Sequence, residues 1–241
     1  GIGVTGSARY QVQQALARIY PALADRLTVL VENYAHARGS IDEARRHVAR
    51  LADRGSPANR NFGVLVDIGG EDTKVSTIAL AQAELYANAM NLKCSAGTGS
   101  LMDTLSALFG LPGVEEACAQ ACDAPRSFAI NATCAVFLME NARRLQAQGV
   151  PRDQILASAN WAIVENMART LWRQIEMPKN VVVLLHGQTM LSEPLPLAVT
   201  DRLQSYLGGK AYSLVPPDPG HRACVGLVRT LVQSAPAGTV D

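Results

Sequence analysis

An α/β fold is predicted by three features of the sequence. Short apolar, β-branched runs alternate along the chain with longer segments whose apolar residues recur every three or four positions. Glycine and proline stand at many of the boundaries between the two kinds of segment. The chain has 241 residues, of which 48% are hydrophobic, and this is enough to bury the core of one large domain or of two lobes.

Charge and cysteine usage exclude several classes of protein. A net charge of +1 argues against nucleic acid or an anionic membrane surface as the main partner. No apolar run reaches the ~18 residues that a spanning helix needs, and residues 1–20 lack the pattern of a signal peptide. Five cysteines are an odd number, so metal binding or burial is a better expectation than disulfides, and we expect a cytoplasmic protein.

Residues 8–53 predict a helical region with two interruptions. Apolar spacing near three and four indicates helices that break at Pro21 and at Gly39–Ser40. Ser40 followed three positions later by Glu43 is typical of a helix N-cap.

The rest of the chain predicts alternating elements. Strands are expected within 62–80 (two strands around a Gly-Gly turn), 127–130, 180–185 and 210–216. Helices are expected at 101–110, 114–122, 134–149, 151–176, 194–208 and 220–235.

The segment LVDIGGEDTKV, residues 65–75, is the first candidate site. A buried strand brings Asp67 to its end, and Gly69-Gly70 then lets the backbone turn sharply with its N–H groups exposed. Such a turn can approach phosphate oxygens, and an acid at the strand end can hold hydrated Mg²⁺. A plain hairpin turn capped by Asp67 is the alternative, and the residues alone do not separate the two.

Two cysteines stand where helices are predicted to begin. Cys94 precedes a glycine-rich turn that leads to a helix capped by Thr98 or Ser100, and Cys134 follows Thr133, a good N-cap. Unpaired N–H groups and the helix dipole stabilise a thiolate there, which suits a soft metal or an iron–sulfur cluster. Two ordinary buried cysteines are the alternative.

Cys118 and Cys122 form a second cysteine pair, with the i, i+4 spacing of one helix face. Metal sites more often show two residues between cysteines, so a metal role is a minor expectation. A zinc site that combines these two with Cys94 and Cys134 in one chain is the corresponding alternative.

Together, these motifs resemble the BadF/BadG/BcrA/BcrD ATPases, the activators of 2-hydroxyacyl-CoA dehydratases and ATP-dependent benzoyl-CoA reductases. The residues that carry the resemblance are VTGSAR (4–9), EARRH (43–47), VDIGGEDTKV (66–75), NLKCSAGTGSLMD (91–103), FAINATCAVF (128–137) and VVVLLHGQT (181–189). The family implies a two-lobed, actin-like (ribonuclease-H-like) ATPase fold around a nucleotide cleft. This chain is expected to lack the first N-terminal strands, since it begins with Gly rather than Met and after the family's first phosphate loop.

The resemblance also implies domains and roles for single residues. The expected division is a helical remainder of the first lobe with an insertion (1–60), a second lobe (61–226), and a final helix and tail (227–241). The implied site residues are the catalytic positions Asp67, which faces Mg²⁺, and Glu71; the ATP/ADP-binding positions Gly69, Gly70, Gly97, Thr98, Gly99 and Gly187; and the cluster ligands Cys94 and Cys134.

The resemblance further implies a shared cofactor and a partner. A [4Fe–4S] cluster takes four thiolates and the family pattern supplies two, so a homodimer with the cluster on its axis is expected. The protein would then deliver low-potential electrons, linked to ATP, to an acyl-CoA dehydratase or reductase component.

Three departures from the family pattern favour an alternative, a non-hydrolysing structural or regulatory domain within a larger protein. The family's Asp-x-Gly-Ser phosphate loop would precede residue 1. His186 stands where family members carry glycine in the late loop, and Glu71 stands where they usually carry glutamine. An extra carboxylate beside the phosphates would repel them.

Overall fold

The chain folds around two β-sheets of unequal size. A computed structural model describes residues 1–91, 98–130 and 134–234. The elements in these ranges are β1 Ile2–Val4, α1 Arg9–Ile19, β2 Leu27–Val29, α2 Glu32–Asp53, β3 Phe62–Ile68, β4 Thr73–Ala79, β5 Glu84–Asn91, α3 Ser100–Leu108, α4 Val114–Cys122, α5 Ala135–Ala147, α6 Arg152–Thr170, β6 Val181–His186, α7 Pro194–Leu207, β7 Ala211–Leu214 and α8 Arg222–Ser234.

The larger sheet has five strands in the order β5-β4-β3-β6-β7. Strands β3, β4 and β5 are antiparallel and joined by short turns, whereas β3, β6 and β7 are parallel and separated by helices. The sheet is therefore mixed, with its change of direction at β3. The smaller sheet consists of β1 and β2 alone, which pair in parallel.

Both faces of the larger sheet are covered. Alternate residues of β3 and β6 point to opposite sides, so each strand contributes to two cores. Helices α3 to α7 pack on one side with Val64, Val66 and Val183, and α2 packs on the other with Leu65 and Leu184. Full burial of each such side chain stabilises the fold by about 1.5–3 kcal/mol.

Helices α2 and α8 cross at two glycines. A Cβ atom at Gly39 would lie 2.0 Å from the carbonyl oxygen of Arg222, and one at Gly226 would lie 1.9 Å from that of Ala35. Any side chain would keep the two backbones apart, so only glycine permits this crossing. On its other side α8 reaches the smaller sheet, where Leu227 packs on Gly3.

The structure corrects the predicted N-terminal helices. The break at Pro21 is confirmed, but α2 continues through Gly39–Ser40, because Gly39 serves the contact with α8 rather than a turn. Ser40 is consequently a buried residue in mid-helix and not an N-cap. Leu27–Val29, expected to be helical, forms β2 because it finds a partner strand in β1.

Most downstream elements agree with the prediction, with three exceptions. Residues 127–130 form no strand, although they carry apolar and aromatic residues. The long helix predicted to reach 176 ends at Thr170, and a short 3₁₀ turn, Trp172–Gln174, follows it. Strand β5 was not expected; it pairs antiparallel with β4.

No helix in the described ranges is both long and apolar enough to cross a membrane.

Candidate functional site

Three polar residues form a row across the larger sheet at the end of β3. Asp67 is the register partner of Lys74 on β4 and of His186 on β6. Register partners point to the same face of a sheet, and this face is the one that packs against α2. The apolar layer formed by Leu65, Leu184 and their neighbours thus ends in a buried polar row.

Helix α2 places polar side chains opposite this row. Glu32, His36 and Ser40 are spaced four residues apart, so they lie on one face of the helix. His36 Nε2 lies 3.3 Å from Asp67 Oδ2 and 3.8 Å from Glu32 Oε1. The sheet and α2 therefore bring two carboxylates and an imidazole together in the interior.

Lys74 lies among three carboxylates. Its Nζ is 2.8 Å from Asp72 Oδ1, 3.2 Å from Glu32 Oε1 and 3.5 Å from Asp67 Oδ2. Burial disfavours the ammonium, but Asp67, followed by Asp72 and Glu32, outweighs burial and raises the pKa of Lys74. His36 and Lys74 in turn lower the pKa of Glu32 to about 2.

Carboxylates outnumber ammonium groups in this cluster. The carboxylates of Glu32, Asp67 and Asp72 all lie within 3.5 Å of the one ammonium group, that of Lys74. Glu32, His36 and Asp67 each offer a ligand atom, and these three atoms lie within 4.8 Å of one another. A cluster with this excess of negative charge is suited to a further cation.

A chain of polar contacts leads from His36 to α8. His36 Nδ1 lies 3.0 Å from His186 Nδ1, and His186 Nε2 lies 2.7 Å from Ser40 Oγ. Arg222 Nε donates to Ser40 Oγ at 3.0 Å, and its Nη2 pairs with Glu43 Oε1 at 2.8 Å. Burial, and then His36 and Arg222, lower the pKa of His186 well below its usual value.

The sequence suggested that His186 stands in the loop after β6, in place of a family glycine, but the structure places its side chain in the interior. Its side chain is completely buried between β6 and α2, where it contacts His36 and Ser40. It does not project from the loop that follows β6, as a substitute for a loop glycine would.

Glycine-lined loops meet beside Asp67. The backbone N–H groups of Gly99 and Ser100 donate to the carbonyl oxygens of Gly69 and Gly70, both at 2.8 Å. Gly187 has a φ of 100°, and a Cβ atom there would lie 2.2 Å from the carbonyl oxygen of Ile68. The structure thus joins the turn after β3, the start of α3 and the loop after β6.

The predicted site residues in these loops have different surroundings. Gly99, rather than Thr98 or Ser100, is the N-cap of α3, and Thr98 is buried with its hydroxyl 3.0 Å from Ser100 Oγ. Gly70 and Glu71 are exposed at the tip of the β3–β4 turn. Gly97 lies outside the described residues.

Cys134 lies at the start of α5, as the sequence predicts. It is the N-cap residue itself and is half-buried. Val136 and Phe137, in the first turn of the same helix, are 73% and 49% exposed. Cys94 and Thr133 lie outside the described residues.

Cys118 and Cys122 both lie on α4, and their environments differ. Burial raises the pKa of the Cys118 thiol, and Cys122 is exposed at the end of the helix. In the parts of the chain that the structure describes, no cysteine belongs to a group of three possible metal ligands. These residues give the single-chain zinc alternative no support.

Sequence reasoning found Asp67 and the glycines but missed Lys74, His36 and Ser40. The signals were present: Lys74 and Asp67 lie at mirror positions of the β3–β4 hairpin, and the i, i+4 spacing places His36 and Ser40 on one face of α2. What was missing was the pairing of β3 with β6, which joins residues 119 positions apart, such as Asp67 and His186, and decides that this face contacts His186.

Two known proteins are similar to this chain in sequence. It is 26% identical over 182 residues to the 2-hydroxyisocaproyl-CoA dehydratase activator of Clostridioides difficile, a match that covers 76% of this chain and 62% of that protein. It is 25% identical over 187 residues to the (R)-2-hydroxyglutaryl-CoA dehydratase activating ATPase of Acidaminococcus fermentans, covering 76% and 69%. The chain thus spans about two thirds of the length of these relatives.

Solved structures have the same fold. Component A of the A. fermentans dehydratase superposes with a TM-score of 0.68 at 20% identity, over 95% of this chain and 76% of that one. The Clostridium difficile activator, with bound ADPNP, gives 0.67 at 19%, over 95% and 83%. The predicted α/β, actin-like fold is confirmed by this likeness. A model of the BadF/BadG/BcrA/BcrD ATPase family matches residues 2–228, and the chain belongs to that family.

Proposed function

We propose that this chain binds a magnesium–adenine nucleotide beside Asp67 and acts as an ATP-linked, iron–sulfur activator of an acyl-CoA dehydratase or reductase. The observation that carries the nucleotide site is the meeting of three glycine-lined loops next to a carboxylate. Gly69, Gly99 and Gly187 come from three separate parts of the chain. Where three glycine backbones meet, no side chain prevents a polyphosphate from approaching closely.

The residues present fit a nucleotide with Mg²⁺. A Cβ atom at Gly70 would meet nothing within 4 Å, so this exposed turn can approach a ligand closely. The excess negative charge around Asp67 favours a divalent cation, which also accepts phosphate oxygens. Exposed Glu71 would lie on the phosphate side, and we propose that it modulates rather than provides the binding.

In this proposal the chain acts by position and charge. Bound Mg²⁺ would neutralise phosphate charge as phosphoryl transfer proceeds. Asp67 would hold the cation from the sheet side, and exposed Gly70 would lie nearest the phosphates, with Gly69, Thr98 and Gly99 forming the loops behind it. The backbone at Gly187 would lie beside the adenosine. No covalent step on the protein is required.

Cys134 fits a cluster ligand. It is a thiol at a helix N-terminus, where the helix dipole favours an anionic ligand, and Cys94 is proposed as its counterpart. A [4Fe–4S] cluster would supply one-electron chemistry at low potential. Two thiolates per chain imply a cluster shared across a homodimer.

The surface beside Cys134 supports that dimer. Val136 and Phe137 expose apolar side chains one turn or less from the thiol. A second copy placed across a two-fold axis at Cys134 would cover both.

A non-hydrolysing module of the same fold is the second candidate. One reason for this candidate was that His186 replaces a glycine of the late loop. That reason is weakened, because His186 is buried in the interior and the loop after β6 keeps a glycine conformation at Gly187. The two candidates differ in whether ATP is turned over.

Titration with Mg–ADP tests the nucleotide site. The chain should bind Mg–ADP, and Asp67→Asn should weaken binding because the carboxylate charge is lost. Asp201→Asn, an exposed acid on α7, is the control. Equal affinity in the Asp67 variant would remove this residue from the site.

Anaerobic iron and sulfide analysis with light scattering tests the cluster. We expect about four irons per dimer in the parent chain and loss of iron in Cys134→Ser. Cys118→Ser, a cysteine on α4, should keep the iron. A brown, intact dimer in the Cys134 variant would refute the assignment.

A further inference from the structure

The polar contacts behind Asp67 form an unbroken path to α8. We propose that Arg222, Ser40, His186 and His36 act as a relay of positioning residues that fixes the orientation of the Asp67 carboxylate. The role of the relay rests on the proposed nucleotide site, because orientation matters only if Asp67 meets a ligand.

The chemistry of arginine determines the direction of the hydrogen bond between Arg222 and Ser40. An arginine Nε always carries a proton, so Ser40 Oγ accepts from Arg222 at 3.0 Å. The 3.0 Å contact between two imidazole Nδ1 atoms needs one proton, which either His36 or His186 supplies. The 2.7 Å contact from His186 Nε2 to Ser40 Oγ adapts to either choice, because a hydroxyl can donate or accept.

The position of the proton in the last contact, between His36 and Asp67, is inferred in the same way. His36 Nε2 faces Asp67 at 3.3 Å and Glu32 at 3.8 Å. Ionised carboxylates only accept, so a bare Nε2 would direct its lone pair at two anions. With neutral rings, a proton on His36 Nε2 requires that His186 Nδ1–H donates to His36 Nδ1 and that Ser40 Oγ–H donates to His186 Nε2.

The relay contacts one carboxylate oxygen and not the other. His36 Nε2 and Lys74 Nζ both approach Asp67 Oδ2, at 3.3 and 3.5 Å. The Oδ1 atom lies towards the loop after β6, since a Cβ atom built at Gly187 would be 3.2 Å from it. The relay therefore holds Oδ2 on the sheet-and-helix side and presents Oδ1 to the glycine loops.

The far end of the relay is anchored by an ion pair. Arg222 bonds Ser40, pairs with Glu43 at 2.8 Å and donates to the Gly39 carbonyl oxygen. These contacts stand at the crossing of α2 and α8. Asp67 is thus oriented from the crossing of α2 and α8, which is not part of the glycine loops.

Nuclear magnetic resonance of ¹⁵N-histidine-labelled full chain tests the geometry without any substitution. The chain has four histidines, so assignment is direct. We expect the Nε2–H tautomer at His36, because its Nδ1 accepts from His186, and a neutral ring at His186. A bare Nε2 on His36 would overturn the relay.

Mg–ADP titration tests the consequence for binding. His36→Leu should weaken binding by about tenfold, the usual cost of losing a residue that orients a metal ligand. His36→Gln should restore most of the affinity, because its amide can still donate towards Asp67. His47→Gln, a half-buried histidine elsewhere on α2, should bind like the parent chain.

Failure of the relay can be told apart from failure of the nucleotide site. If the parent chain binds Mg–ADP and a folded His36→Leu variant binds it equally well, only the relay is wrong. If the parent chain binds no Mg–ADP, the nucleotide site is wrong, and the positioning role falls with it even where the Nε2–H signal is present.

Discussion

Replacement of Glu32 by glutamine should make the stability of the chain less dependent on pH. Glu32 is three-quarters buried, 3.2 Å from Lys74 Nζ and 3.8 Å from His36 Nε2. The substitution keeps the shape and one acceptor oxygen but removes the charge. It therefore isolates what the ionised carboxylate contributes.

The magnitude follows from the pKa of Glu32. It falls from a usual value of 4.5 to about 2 in the folded chain. At about 1.4 kcal/mol for each unit, the ionised form contributes at most about 3.5 kcal/mol to folding, and partial exposure reduces this to about 1–2 kcal/mol.

The sign of the pH dependence follows from the lowered pKa. Above pH 4.5 the carboxylate is ionised in both the folded and the unfolded chain, so the full contribution is present. Between pH 4.5 and about 2 the unfolded chain takes up the proton first, and the contribution is progressively lost. Near pH 2 the parent chain and Glu32→Gln should be equally stable with respect to this residue.

Urea unfolding at a series of pH values from 7 to 2.5 measures the effect. The difference in free energy of unfolding between the parent chain and Glu32→Gln should shrink as the pH falls. Glu84→Gln, an exposed glutamate on β5, should differ from the parent by less than about 0.5 kcal/mol throughout. A difference for Glu32→Gln that is constant over the whole range would refute the ion-pair reasoning.

Three further predictions follow from glycines and from Glu71. Gly39→Ala should destabilise the chain by about 1–3 kcal/mol in urea unfolding, because the new Cβ meets the Arg222 carbonyl oxygen. The control Gly113→Ala, which has open space around it, should cost under about 1 kcal/mol. Equal costs for the two variants would contradict the backbone contact. Gly187→Ala should weaken Mg–ADP binding as well as stability, since φ is 100° and the Ile68 carbonyl oxygen is in the way; unchanged binding would place the nucleotide elsewhere. Glu71→Gln should strengthen Mg–ADP binding by up to about fivefold in the same titration, because an exposed charge near the phosphates is removed. Weaker binding would assign Glu71 a direct role.

The sequence predicted the parts of this fold that depend on local pattern. The β3–β4 hairpin, α5 after Cys134 and the strand before His186 all follow from apolar periodicity and turn residues. The elements that were wrong depend on distant partners. Leu27–Val29 is a strand because β1 lies beside it, and Gly39 lies inside α2, where its missing side chain lets α8 cross rather than ending the helix.

The candidate site shows the same difference between features set by local sequence and features set by distant partners. Asp67 and Gly69 were found because motif and turn chemistry are local. The contact between His36 and His186 was not found, because 150 residues separate them and only tertiary packing brings their ring nitrogens to 3.0 Å. Sequence spacing within α2 could suggest which face was polar, but not what that face would meet.

The position of Lys74 has a consequence for the chain when no ligand is bound. At the proposed site a divalent cation would arrive with its ligand and leave with it, whereas the Lys74 ammonium is covalently part of β4 and remains among the three carboxylates. Part of the repulsion among those acids is therefore cancelled permanently. Chelation of Mg²⁺ should empty the site without unfolding the protein, so that the fold is ready for the next ligand before that ligand arrives.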